Sequence, residues 1–391
     1  YETRRNLDYS IRKRPMKILF LVTGNGSRSN FITGYTMRYG HAGLSGTDTS
    51  TILVAEYLAK HGYEVVFAAE RPGNDIIERH TKNGYSFTPG EVVNGVTYTY
   101  LDLENIENRT FDILVSSLWF EHYNDLPITV TKGIFYWCHL AWIYFGQNIK
   151  DYALKNNLKL GYVNISKWAE GHHQDNIKFF KETLPEVETT IIPNPMTVDI
   201  MEEVDTLNIP RKRHKVIFPA QWSRGGFVAE RAVRKIGWEK DFTHFDYVNL
   251  PKGVDKTTLF KELAESDYFI FPQYGHNKWV LKDVHSCAVG EALGMGVIVL
   301  SYPLGSHEEY YGGYYEKLDF PPGIDMEKMM TERATEEPKM DYIDSILKTV
   351  NHLERNPHIK EDYRKRSTEY IRDRFNINKI GPLWVNFLNK F

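Results

Sequence analysis

Residues 266–300 read SDYFIFPQYGHNKWVLKDVHSCAVGEALGMGVIVL, and this stretch indicates the fold. The apolar run Tyr268–Pro272 is typical of a fully buried parallel strand. A helix is predicted from Cys287 to about Met295, with Ser286 as its N-cap. Val297–Leu300 then forms the next strand. Such a strand–helix–strand unit predicts an open α/β sheet, in which ligands bind beyond the carboxyl ends of the strands.

The start of this helix is the first candidate binding element. Its amides and dipole favour an anion such as a diphosphate. Glu291 lies just over one turn into the helix, where a carboxylate can accept hydrogen bonds from two vicinal hydroxyls. Asp283 lies eight residues earlier, in the preceding loop. Two acids beside an anion-binding helix start suit a nucleotide-sugar, unless they are unrelated acids on a solvated helix face.

A glycine-rich loop follows the first strand of the chain. Met16–Val22 is the predicted strand, and a long loop then runs to Gly46. A loop of this length in a compact domain is usually functional. The next helix is expected to begin near Thr47-Asp48, which can cap it. The alternative is a flexible loop that binds nothing.

His139 follows the predicted buried strand Gly133–Trp137. A side chain at the carboxyl end of such a strand points into the ligand crevice. The competing interpretation is a histidine packed in an aromatic core, and the sequence does not decide between the two.

A second phosphate-binding element is predicted near residue 220. The strand Lys215–Ala220 precedes Arg224 and Gly225, and a helix follows. A strand, a basic residue, glycines and a helix start together form an anion site. The alternative is an ordinary surface turn.

The acid at Asp283, the seven intervening residues and Glu291 resemble the E-x7-E signature of retaining GT-B glycosyltransferases, with family 4 the nearest match. The resemblance implies two Rossmann-like α/β domains whose parallel sheets face a central cleft. It also implies that Asp283 touches the donor sugar, that Glu291 holds the ribose, and that His139 reaches the sugar or the transferring centre.

The same resemblance assigns the remaining candidates. Gly46 would let backbone amides approach the donor phosphates or the acceptor, and Gly305 would lie under the sugar. Arg224 and Gly225 would grip the diphosphate, and Lys278 or Lys282 from the facing loop would replace the family's second cation. Ser286 belongs to the anion-binding helix start. Asp283, where the family has glutamate, is one methylene shorter.

The expected domain organisation follows element order. Residues 1–15 form a basic arm, 16–195 an acceptor domain, and 196–213 a linker. Residues 214–365 form the donor-binding domain, and 366–391 a C-terminal helix that crosses back to the first domain.

Composition narrows the class of protein. The chain has 391 residues, with 42% hydrophobic and 25% charged residues, as in a globular protein of two domains. A net charge of −3 does not favour a nucleic-acid surface. Two cysteines indicate a reducing, cytoplasmic compartment. No apolar run is long enough to span a bilayer, and the basic arm allows at most a weak membrane contact.

The predicted activity is transfer of a hexosyl or pentosyl unit from a nucleoside diphosphate sugar to a hydroxyl of a glycan or other acceptor. The resemblance to the retaining family implies retention at the anomeric carbon. No Asp-x-Asp occurs, so no metal or other cofactor is expected. The adjacent His172 and His173 are expected at the surface. The alternatives are a nucleotide-sugar epimerase, a sugar transferase acting on nucleic acid, and a non-catalytic nucleotide-sugar-binding module.

Overall fold

The computed structural model describes residues 14–23, 32–39, 44–82, 84–107, 109–118, 127–140, 146–245, 254–273, 285–320 and 340–391. The described chain forms two parallel sheets with helices on their faces. Asp283, Lys278 and Lys282 lie outside the described residues.

The first domain is built on an eight-stranded sheet in the order β3-β4-β2-β1-β5-β6-β7-β8, parallel except for the β3–β4 hairpin. The order reverses between β1 and β5, as in a Rossmann sheet. The strands are β1 Lys17–Thr23, β2 Glu64–Ala69, β3 Val92–Val93, β4 Val96–Tyr100, β5 Thr110–Leu118, β6 Thr129–Cys138, β7 Lys159–Asn164 and β8 Val187–Ile191.

Helices cover both faces of this sheet, because its central strands are apolar on both sides. They are α1 Gly34–Tyr39, α2 Gly46–Lys60, α3 Asn74–Lys82, α4 Leu103–Ile106, α5 Gly146–Lys155, α6 Lys167–His172 and α7 Gln174–Thr183. The start of α2 differs from the prediction. Ser45 is the N-cap, and Asp48 completes a capping box with it as the third helical residue.

The second domain has a five-stranded parallel sheet in the order β10-β9-β11-β12-β13, which reverses between β9 and β11. The strands are β9 Val216–Phe218, β10 Phe242–His244, β11 Tyr268–Phe271, β12 Ile298–Ser301 and β13 Glu316–Lys317. The helices, in chain order from the end of the first sheet, are α8 Val198–Asp205, α9 Gly226–Ile236, α10 Lys256–Glu265, α11 Cys287–Gly294, α12 His307–Tyr311, α13 Met340–Arg355, α14 Pro357–Arg374 and α15 Ile377–Leu388.

The chain passes between the domains at two adjacent points. Residues 196–213, the predicted linker, contain α8, whose apolar side chains belong to the core of the second domain. After α14, the chain returns and α15 packs on the first sheet, with Trp384 edge-on to Trp137 at 4.5 Å between ring centroids. The two crossings meet where the Met196 N–H donates to the Phe375 carbonyl at 2.9 Å.

Candidate functional site

The reversal point of the second sheet lies between the carboxyl ends of β9 and β11, and open α/β sheets bind ligands at such a point. The turn after β9 carries Arg224 and Gly225. The next helix that the structure describes after β11 is α11, which contains Glu291 and has Ser286 at its N-cap position. The topology therefore directs the two predicted phosphate-binding elements to one edge of the sheet.

The turn after β9 is tightly constrained. Gly225 has φ +105°, a left-handed conformation that favours glycine, and it caps α9. A side chain at Gly226 would collide with the Trp222 ring. Arg224 is half-buried beside the start of α9. This geometry places Arg224 just before a helix N-terminus, and a basic residue in that position suits an anion.

The start of α11 touches the first domain. Ser286 occupies the N-cap position, as predicted, but its side chain makes no capping hydrogen bond. A Cβ built on Gly46 would lie 2.7 Å from both Cβ and Sγ of Cys287. Gly46 is therefore a close-approach residue, and the neighbour it accommodates in this structure is Cys287. Two helix N-termini meet here, and both dipoles favour negative charge.

Glu291 is 2% exposed and forms a buried ion pair, in which Lys256 Nζ lies 2.5 Å from Glu291 Oε1. Lys256 is the first residue of α10, so the pair joins α10 to α11. The second oxygen, Oε2, is buried and has no hydrogen-bond partner within the described part of the chain. A buried carboxylate oxygen without a partner is costly, which indicates an acceptor kept for a ligand.

His139 is 5% exposed and follows β6. The side-chain amide of Asn194 donates to His139 Nδ1 at 3.3 Å, and the Asn194 backbone N–H donates to His285 Nδ1 at 3.2 Å. Each Nδ1 accepts, so each neutral ring carries its proton on Nε2. Asn194 thus links the His139 ring of the first domain to the ring of His285, just before α11. Neither Asn194 nor His285 is predicted from the sequence to be a site residue.

The turn after β12 contains Gly305 at φ +60°. Beside it, His307 at the start of α12 is fully buried and bonds the Gln273 amide and the Ser301 hydroxyl. Gln273 follows β11 with φ +52°, a strained conformation for a side chain of its size. Its Oε1 has no partner among the described residues. This polar cluster was not predicted, and no sequence pattern marks it.

Contacts between the domains also come from α12. Glu309 Oε1 accepts the Lys167 N–H at 2.9 Å, and Oε2 accepts the Trp168 N–H at 3.0 Å, so Glu309 adds to the cap that Ser166 forms at the start of α6. Tyr310 donates from its hydroxyl to the Ile165 carbonyl. These contacts join the carboxyl edge of the first sheet to the second domain.

The prediction that His173 lies at the surface is wrong. His173 is fully buried, and its Nδ1 lies 2.8 Å from Asn164 Oδ1. The prediction assumed one continuous helix. Instead α6 ends and α7 begins at His173, and the break turns the ring inward.

No protein-family model and no curated protein matches the chain. Solved structures do match it over nearly its whole length. Sucrose-phosphate synthase from Thermosynechococcus elongatus superposes with a TM-score of 0.60 at 10% identity, covering 96% of this chain and 98% of that one. The pneumococcal O-GlcNAc transferase GtfA, solved with UDP and GlcNAc, has a TM-score of 0.57 at 8% identity, covering 96% and 99%.

Anabaena Alr3699/HepE, solved with UDP and glucose, superposes with a TM-score of 0.54 at 10% identity, covering 96% of this chain and 100% of that one. Among the described residues of the present chain, no helix has the length and apolar character needed to cross a membrane. At these identities the likeness establishes the fold. The chain has the GT-B fold of glycosyltransferases, two Rossmann-like domains whose parallel sheets face each other across a cleft, as the sequence predicts.

Proposed function

We propose that this protein transfers a glycosyl unit from a nucleoside diphosphate sugar to a hydroxyl acceptor, with retention at the anomeric carbon. The observation that carries the proposal is the environment of the Glu291 carboxylate. It is buried at the reversal point of the second sheet, with one oxygen on Lys256 and the other left as an acceptor. That arrangement suits a ribose, whose hydroxyls donate to a carboxylate. Two of the structural neighbours hold UDP, which supports a uridine nucleotide as the first donor to test.

The diphosphate is proposed to lie at the start of α11, within reach of Arg224. In the reaction, the bond between the anomeric carbon and the diphosphate breaks, and the diphosphate leaves with the electron pair. The acceptor oxygen bonds the anomeric carbon, and its proton passes to the departing diphosphate. Charge develops on the leaving group, so a guanidinium and a helix dipole fixed beside it lower the barrier. Gly225 shapes the turn that holds Arg224.

His139 and Gly305 are proposed to contact the donor sugar. Asn194 holds the His139 ring with Nδ1 as an acceptor, which puts the ring proton on Nε2, the atom proposed to donate to a sugar hydroxyl. Four further residues are proposed to contact the donor. Asp283 is proposed to contact the sugar, and Lys278, Lys282 and Ser286 the diphosphate. We propose catalysis without a metal, in a cytoplasmic setting, with the acceptor on the first domain.

The experiment is a thermal-shift and calorimetry panel of UDP, UDP-glucose, UDP-GlcNAc and GDP-mannose. A ligand present at a hundred times its dissociation constant should stabilise the protein by about 2.7 kcal/mol. Failure of every nucleotide to stabilise it would contradict the proposal. His139→Ala should then retain donor affinity and slow both transfer and donor hydrolysis. Glu188→Gln, at an exposed surface pair with Lys390, is the matched control and should change neither.

A further inference from the structure

A cavity of about 780 Å³ lies between the first domain and the two segments that cross to the second domain. It is bounded by α1, by the second half of α2, by the β3–β4 turn, and by the two segments that cross between the domains. Its size is within the usual range for small-molecule sites, roughly 300–1,000 Å³. Met196 separates it from the proposed donor site, because this side chain lines the cavity and also packs against Gly290 of α11.

Two tyrosines form an aromatic wall on one side of the cavity. Tyr35 is 41% exposed and Tyr39 59% exposed. The Tyr35 ring stacks on the ring of Tyr85, with 5.0 Å between centroids and 2° between planes, and Tyr39 leans on Tyr35 at 5.4 Å. Tyr85 is nearly buried and bonds Thr33 through its hydroxyl. The exposed rings are therefore held in place by the core, and a rigid aromatic surface binds at little entropic cost.

The cavity lining also carries a carboxylate in a constrained setting, that of Glu56. Glu56 Oε1 accepts from the Asn94 side-chain amide at 2.9 Å. A Cβ on Gly34 would collide with the same oxygen, so glycine at 34 leaves room for the carboxylate. Asn94 reaches it from a turn with φ +49°. Burial raises the pKa of Glu56, and the Asn94 hydrogen bond and the charge of Arg38 lower it only in part.

The charges around the cavity do not favour an anionic ligand. Among the described residues, the lining has two cations, Arg38 and Lys60, against three acids, Glu56, Asp199 and Glu202. Arg38 is already engaged, with NH2 2.5 Å from Asp199 Oδ2. A phosphate or nucleotide would meet a slight excess of negative charge. A neutral ligand that presents both an apolar face and many hydroxyls fits the rings and the amide and carboxylate groups.

We propose that this cavity is a second ligand site, which binds a neutral saccharide unit with its apolar face on Tyr35 and Tyr39 and its hydroxyls on Glu56 and Asn94. The inference concerns a pocket separate from the donor site and does not depend on the proposed transfer activity.

The test is saturation-transfer NMR on the full chain with glucose, N-acetylglucosamine, maltose and N,N′-diacetylchitobiose as probes, in saturating UDP. At least one probe should receive saturation from the protein. Tyr39→Ala should weaken that binding at least tenfold, and Tyr39→Phe should retain it, because the ring supplies the contact. Tyr39 is exposed, so both variants should fold, which circular dichroism would verify.

Arg224→Ala is the control that separates the two sites. It should leave saccharide binding unchanged while it weakens the binding of UDP. Absence of saturation transfer to every probe would overturn the proposal, as would saccharide binding that survives Tyr39→Ala and disappears in Arg224→Ala. Binding of choline in the cavity without binding of any saccharide would also overturn it, because the site would then select a cation.

Glu56→Gln gives an independent readout. A carboxylate whose pKa is raised by folding destabilises the folded state above that pKa, and this penalty disappears below its unfolded value of about 4.3. The variant should therefore melt higher than wild type at neutral pH, with the difference vanishing near pH 4, and it should bind the saccharide less tightly. A Glu56→Gln variant that melts lower and binds equally would identify Glu56 as a structural residue and overturn its role in the site.

Discussion

Glu291 and Glu309 are two carboxylates of the second domain, and the structure uses them in different ways. Both oxygens of Glu309 are occupied, since each accepts a backbone N–H at the start of α6 across the domain boundary. Glu291 is more deeply buried, yet it uses one oxygen on Lys256 and leaves the other without a partner among the described residues. Glu309 is a structural contact between domains, whereas Glu291 has the form of a ligand site.

The contrast teaches how to distinguish binding acids from structural acids on this fold. Full satisfaction of a buried carboxylate stabilises the fold and leaves nothing for a ligand. Partial satisfaction costs stability, and such a cost is typical of functional sites. Substitutions at these two glutamates should therefore affect stability and nucleotide binding in different proportions.

The largest effect is expected from Glu291→Gln. It should lower the free energy of unfolding by about 3–5 kcal/mol, because the buried Lys256 ammonium loses the carboxylate that lies 2.5 Å from it. UDP affinity should fall at least tenfold, in line with the roughly 1.5–3 kcal/mol of a hydrogen bond to a charged group. Denaturant titration and calorimetry with UDP measure the two quantities.

Combining Glu291→Gln with Lys256→Met separates stability from binding. The double variant should recover much of the lost stability, because neither charge remains buried, and it should still fail to bind UDP tightly. If the double variant recovers both, the carboxylate is structural and the contrast with Glu309 disappears.

Arg224→Ala should come next. It should weaken the binding of UDP by about 1.5–3 kcal/mol, which is roughly a tenfold to hundredfold loss of affinity, because a guanidinium hydrogen bond to a phosphate is lost. The affinity for uridine, which lacks the diphosphate, should fall much less. Equal losses for uridine and UDP would place Arg224 away from the phosphates. Stability should change little, since the residue is half-buried in a turn.

The smallest effect is expected from Glu309→Gln. Loss of a helix cap costs about 0.5–2 kcal/mol, and the amide keeps one of the two accepting oxygens, so the decrease should be near the lower value. UDP affinity should stay within experimental error of wild type. A large loss of UDP affinity would show that the contact with α6 sets the geometry of the donor site, and the two glutamates would then act together.

The local elements of the candidate site could be predicted from sequence, but the contacts between distant elements could not. The helix beginning at Cys287 and the turn at Gly225 follow from short-range signals, an apolar strand followed by helix-start or glycine residues. Glu291 was found by its position in that helix. Its partner Lys256 lies 35 residues earlier and meets it only after the sheet has formed, so no local pattern connects the two.

The errors have a local cause. The start of α2 was placed at Thr47-Asp48 because Thr and Asp are good caps, but Ser45 uses Asp48 in a capping box and begins the helix earlier. His173 was misplaced because a helix break without glycine or proline gives no warning in the sequence. Asn194 was passed over because its importance comes from two rings brought to it by folding.

The meeting of Met196 and Phe375 has a topological consequence. The described residues before this contact belong to the first domain, and α15, which follows it, packs against the sheet of that same domain. The second domain is thus an insertion within the first, entered and left through neighbouring residues. Excising it would leave two ends already adjacent, which a short glycine–serine bridge could join, whereas no equivalent single cut releases the first domain as one piece.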